Sequence, residues 1–157
     1  MTWSASKIFT AYINNTLTNV TAMDLDTDAL FKVSLFNDTP TPSQIVAAAA
    51  SAYNTGVWAA NFVFDASGWP QVGRDLVTKT VSAETATTFK WDADDTVSAN
   101  STTTLTAAFG CLIYDDTIAT PVIDQGVCYN YFGGTNSVTS GTFTVVWNGA
   151  GILTIAV

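Results

Sequence analysis

Histidine is absent from this 157-residue chain, and glutamate occurs once, as Glu84. Without imidazole there is no Ser-His or Cys-His nucleophile pair and no imidazole metal site. A single glutamate also leaves little from which to build a paired acid and base. Cations are scarce: five Lys and Arg stand against thirteen Asp and Glu, a formal net charge of -8 that repels a phosphate backbone. Two cysteines are too few for a disulfide framework. Thr, Asn and Asp interrupt every apolar stretch before it reaches the ~18 residues that a membrane helix needs. The N-terminus, MTWSASKIFTAYINN, lacks a basic start followed by an apolar run of signal length. These absences exclude nucleic-acid and membrane partners and point away from catalysis, metals and cofactors.

Charged residues of all kinds make up only 11% of the chain, against a usual share of about 25%. Two readings of that deficit stay open. Either Ser, Thr, Asn and Ala cover the exterior, or much of the exterior is buried against other chains.

The length fits a single domain spanning residues 1–157, large enough to bury a core without metal or disulfide staples. Residues 3–17 space Ile8, Phe9, Tyr12, Ile13 and Leu17 at near-helical intervals, with Ser4 as N-cap, and predict a helix. A short apolar strand follows at residues 29–36, and the TPTP stretch at 39–42 is a stiff connector. The alanine-rich residues 43–53, SQIVAAAASAY, predict the strongest helix of the chain. From residue 57 onward the pattern is β. Strands are expected at 61–64, 72–81 continued by 87–91, 105–114 and 122–132, the last two forming a hairpin, and 100–104 is a polar, β-compatible run. Residues 133–136, GGTN, read as a turn. Residues 142–147 alternate, with Phe143, Val145 and Trp147 on one face, and 152–157 read as the strand returning across the Asn148-Gly149 turn. The expected class is mainly β, an antiparallel β-sandwich or open barrel with one or two short helices in the N-terminal third.

Candidate sites are few. Asp24-x-Asp26-x-Asp28 has the opening spacing of a calcium loop, but Ala29 and Leu35 stand where an EF-hand needs Gly and Glu, so the motif reads as a solvated turn. Asp92, Asp94, Asp95, Asp115 and Asp116 are the remaining acidic clusters, and paired carboxylates run glycoside hydrolysis. Aspartate at a turn already has an explanation, because it bonds its own backbone there. Trp58, Trp69 and Trp91 form a candidate stacking platform for a carbohydrate-binding module. Cys111 and Cys128 fall in the two strands of the expected hairpin, so a bridge between them stands beside two buried thiols. Tyr129, Tyr131, Phe132 and Trp69 are the candidate interface anchors, with Tyr129 and Tyr131 on the same face of a strand.

Several segments in their order resemble small structural proteins of tailed bacteriophages. These are residues 30–36 (LFKVSLF), 67–70 (SGWP) with Gly73, 89–95 (FKWDADD), 113–116 (IYDD) and 141–152 (GTFTVVWNGAGI). The resemblance implies a β-rich virion component without catalytic residues. Its implied role is decoration of the assembled head, cementing neighbouring copies of the major capsid protein, after synthesis in the host cytoplasm. A homo-oligomer, a trimer by expectation, at a symmetry axis suits that role. A tail, baseplate or host-contacting fibre component is the alternative.

Overall fold

The computed structural model describes residues 3–18, 20, 24–26 and 31–156. Its elements are β1 (Lys7–Ile8), α1 (Thr10–Leu17), β2 (Phe31–Phe36), α2 (Ala48–Ser51), a 3-10 turn (Gly56–Trp58), β3 (Phe62–Val63), β4 (Arg74–Asp75), β5 (Thr80–Thr85), β6 (Thr88–Asp92), β7 (Thr96–Val97), β8 (Thr103–Asp115), β9 (Gly126–Gly141), β10 (Thr144–Val145) and β11 (Leu153–Ala156). The fold is mainly β, with antiparallel sheets and two short helices, as the turn-punctuated strand pattern requires.

The main sheet runs β1-β9-β8-β2-β3, with β4 also pairing β2. β2 sits inside it and is buried on both sides. Its register sets Val33 opposite Ile113 and Leu35 opposite Cys111, while Ser34 and Phe36 face Leu112 and Gly110. Alternation therefore sends Phe31, Val33 and Leu35 to one side and Phe36 to the other. On the Phe36 side the cover is aromatic: Phe36 meets Trp58 at 5.0 Å and Trp58 meets Trp3 at 5.7 Å. On the Phe31 side, Phe31 packs on Trp91 at 5.0 Å, which brings in a second layer. That layer is the three-stranded sheet β11-β6-β5 with the short β10-β7 pair. Ser34 is fully buried, and its hydroxyl is satisfied by donating to the Gln71 carbonyl at 2.9 Å.

β8 and β9 form the expected hairpin, with register shifts that include one between Ala108 and Gly110. Such bulges bend and twist long strands, which lets this pair wrap the core. Gly133, expected in a turn, lies within β9 at φ +80, so the Gly133-Gly134 step relieves the strand rather than ending it.

Both helices are shorter than their sequences predict. Residues 3–9 are not helical; α1 begins at Thr10, and its N-cap is Phe9, without a side-chain cap, rather than Ser4. In the alanine-rich segment only Ala48–Ser51 is helical, flanked by extended Ala47 (ψ 153) and Ala52 (ψ 150). Tertiary hydrogen bonds override propensity there. The Gln44 carbonyl accepts the Thr10 N–H at 2.9 Å, and the Tyr53 N–H donates to the Asp124 carbonyl at 3.0 Å. The expected strand at 72–81 is split into β4 and β5, with Thr78 at φ +53 between them. The C-terminal segment also departs from its expected hairpin. β11 pairs β6, Leu153 opposite Trp91, while β10 pairs β7, Val145 opposite Thr96.

Candidate interaction surfaces

The β11-β6-β5 sheet carries its chemistry in rows. Val81, Trp91 and Leu153 align across the three strands, and the next row on the same face is Ala83, Phe89 and Ile155. Trp91 and Leu153 are buried, and the Trp91 indole Nε1 donates to the Leu25 carbonyl at 2.8 Å. The face then continues past the core. Val81 is 43%, Phe89 43% and Ile155 38% exposed. The opposite face of the same strands holds the charge, where Lys90 lies 3.3 Å from Glu84 and 3.5 Å from Asp92. β5 and β11 each pair only with β6 among the described residues, so both outer edges present backbone donors and acceptors. The sheet is thus an amphipathic plate with its apolar end in solvent.

A second surface is concave. A groove of about 570 Å³ runs between β9 and the segment from Phe143 to Ile152. Asn130, Tyr131, Phe132 and Asn136 line one side; Val145, Trp147 and Asn148 line the other. No Asp, Glu, Lys or Arg lines it. Trp147 is fixed there by two bonds: its backbone N–H donates to Asp95 Oδ1 at 3.0 Å, and its indole Nε1 to Thr96 Oγ1 at 3.3 Å.

The sequence-predicted residues scatter between these surfaces and the core. Trp69 is fully buried, with its indole Nε1 donating to the Val33 carbonyl at 3.0 Å, so it is a core residue and no interface anchor. Tyr129 is also buried, packed between Phe9 at 5.4 Å and Trp3 at 6.0 Å. Tyr131 and Phe132 are half-buried and reach the groove. Trp58, Trp69 and Trp91 are all buried, and a stacking platform made from them does not exist at the surface. Each instead lost its exposure to the two aromatic layers of the core.

Cys111 and Cys128 are free and buried in neighbouring strands. The register places Cys128 opposite Ile113, two positions from Cys111, so the thiols are diagonal rather than facing. Burial pushes the Cys111 thiol up to about 12 and raises Cys128 as well, which makes both poor nucleophiles.

The aspartates do structural work. Asp95 holds Trp147, Asp92 accepts the Ala93 N–H at 3.0 Å, and Asp115 Oδ1 accepts the Thr117 N–H and hydroxyl at 2.9 and 2.6 Å. Asp116 lies 3.7 Å from Lys32. In the Asp24–Asp26 turn the Asp26 N–H donates to Asp24 Oδ1 at 3.3 Å; Asp28 lies outside the described residues. No group of three metal-ligating side chains occurs among the described residues.

Sequence reasoning missed Asn130, Asn136, Asn148 and Ser6 in the groove, and Phe89 and Ile155 on the plate. The alternation of residues 88–92, TFKWD, does carry a signal that Phe89 shares a face with Trp91. Nothing local links Ser6 to Tyr131, 125 positions away, although the Ser6 hydroxyl accepts the Tyr131 N–H at 3.0 Å. No family model matches the chain, and no curated protein or solved structure proves similar to it.

Proposed function

We propose that this chain is a non-enzymatic structural protein of a tailed-phage particle, which binds the outside of the assembled head and cements the major capsid protein lattice. The observation that carries the reading is the apolar row Ala83, Phe89 and Ile155, which extends into solvent the core face of a sheet whose outer strands have no second partner among the described residues. An exposed apolar face flanked by unpaired strand edges suits burial against another chain. The low charge of the whole chain has the same sense, since interface cores are depleted of charged side chains. The ordered segments that resemble phage structural proteins supply the setting, a virion surface.

Heads assembled without this chain are expected to rupture at lower temperature or lower salt than complete heads, and adding the purified protein restores them. Equal robustness of depleted and complete heads overturns the reading.

A further inference from the structure

We propose that the groove between β9 and residues 143–152 binds a neutral oligosaccharide. Charge is the first argument. The chain carries thirteen acidic and five basic residues, yet none of the thirteen residues lining this groove is charged. An anionic or cationic ligand finds no partner there, and an uncharged one forfeits nothing.

The lining has the mixture that a sugar requires. Tyr131, Phe132 and Trp147 offer ring surface for the apolar C–H faces of a pyranose. Three amides supply polar groups that both donate and accept, as a hydroxyl does. Two of them are held in place by one bond each. Asn136 Nδ2 donates to the Gly134 carbonyl at 2.9 Å, leaving its oxygen for a ligand, and Asn148 Oδ1 accepts the Ala150 N–H at 2.9 Å, leaving its NH₂. The third, Asn130, keeps its side chain against the Cys111 thiol, where its Nδ2 is buried.

Size points to an oligosaccharide. The groove's 570 Å³ lies within the roughly 300–1,000 Å³ of small-molecule sites. Ser6, Asn130 and Ile152 also line an adjoining groove of about 420 Å³, so the trough continues beyond one sugar ring; Lys7 is the one charged residue lining that extension. An extended peptide is disfavoured, because the Tyr131 N–H that it would pair with is already taken by the Ser6 hydroxyl.

The test is a titration of the full chain with cellohexaose, maltohexaose and chitohexaose, beside hexagalacturonate and a neutral hexapeptide, read by tryptophan fluorescence and calorimetry. Trp3, Trp58, Trp69 and Trp91 are buried, so a ligand-induced change reports on Trp147, the half-exposed one. At least one neutral hexaose is expected to bind and shift the emission, with the uronate weaker by about tenfold. The exposed Asn136→Ala should weaken that binding by about tenfold with an unchanged melting temperature, and Phe132→Ala by about tenfold with a lowered one, because Phe132 packs against the core. The proposal falls if all three neutral sugars fail to bind at roughly millimolar concentration, if binding survives both substitutions, or if the peptide binds more tightly. That failure leaves the head-decoration reading untouched, since the apolar plate is a different surface.

Discussion

Asp65 shows how much one side chain organises. Its Oδ1 accepts the N–H groups of Ser67 at 2.9 Å and Gly68 at 3.1 Å and the Ser67 hydroxyl at 2.7 Å, while Oδ2 accepts the Thr104 N–H at 2.8 Å. The carboxylate thereby closes the turn before Trp69 and ties it to the start of β8. These donors, the Thr104 N–H foremost, hold its pKa down to about 2 from 3.8. A depressed carboxyl pKa contributes stability that is present above the unfolded value and lost as pH falls through the folded one. The melting temperature of the native chain should therefore fall more steeply between pH 3.8 and about 2 than that of Asp65→Asn, which is already less stable at neutral pH. Thermal melts of both proteins across that window check it; parallel curves sink the idea. The turn itself is legible in the sequence, because Asp-x-Ser-Gly is turn chemistry. The bond to Thr104, 39 residues on, is not.

At the scale of elements, the β5-β6-β11 plate passes from core to solvent along one face. Its inner row holds Trp91 and Leu153 in the core, and its outer row meets solvent. Phe89→Ser or Ile155→Ser should cost the isolated chain about 1 kcal/mol or less. The same changes should weaken attachment to heads by about tenfold or more if the plate is the contact. Urea melts and a head-binding assay separate the two, and full attachment by the double variant removes the plate from the interface. Two strands of this plate, β6 and β11, lie within one residue of the strands expected at 87–91 and 152–157, whereas β5 runs four residues past the expected end at 81. Their partners were not legible in the sequence. β11 follows residues 142–147 across an Asn-Gly turn, the strongest local hairpin signal. It nonetheless pairs with β6, because Leu153 completes the buried row of Trp91 and the Ile152 N–H reaches the Trp91 carbonyl at 2.8 Å. The alanine run fails as a long helix for a related reason: tertiary backbone partners at both ends outweigh a propensity advantage of a few tenths of a kcal/mol per residue.

For the whole molecule, the missing histidine sets the pH profile. No imidazole titrates near neutrality, so unfolding free energy should be nearly flat from pH 6 to 8. An alkaline limb then follows. Burial raises Cys111, Cys128, Tyr12 and Tyr114 above their ordinary 9.0 and 10.0. For each, the neutral form is favoured in the fold. That stability is complete below the unfolded pKa and is lost as pH rises above it toward the folded value. Urea unfolding at successive pH values should show a plateau and then a decline beginning near pH 9, shallower in a Cys111→Ala, Cys128→Ala variant. A decline that begins at pH 7 contradicts the assignment.

The absence of histidine, the sparse charge, the β class and the β8–β9 hairpin were settled by the sequence itself, since composition needs no folding and adjacent strands pair at little loop-closure cost. Which aromatics reach the surface was decided only by tertiary structure. Trp58, Trp69, Trp91 and Tyr129 look the same in the sequence as Trp147, Phe132 and Phe89. Two layers closing on both faces of one sheet buried the first set. The second set lies where those layers end, and an ending is a property of the packed molecule that no local pattern encodes.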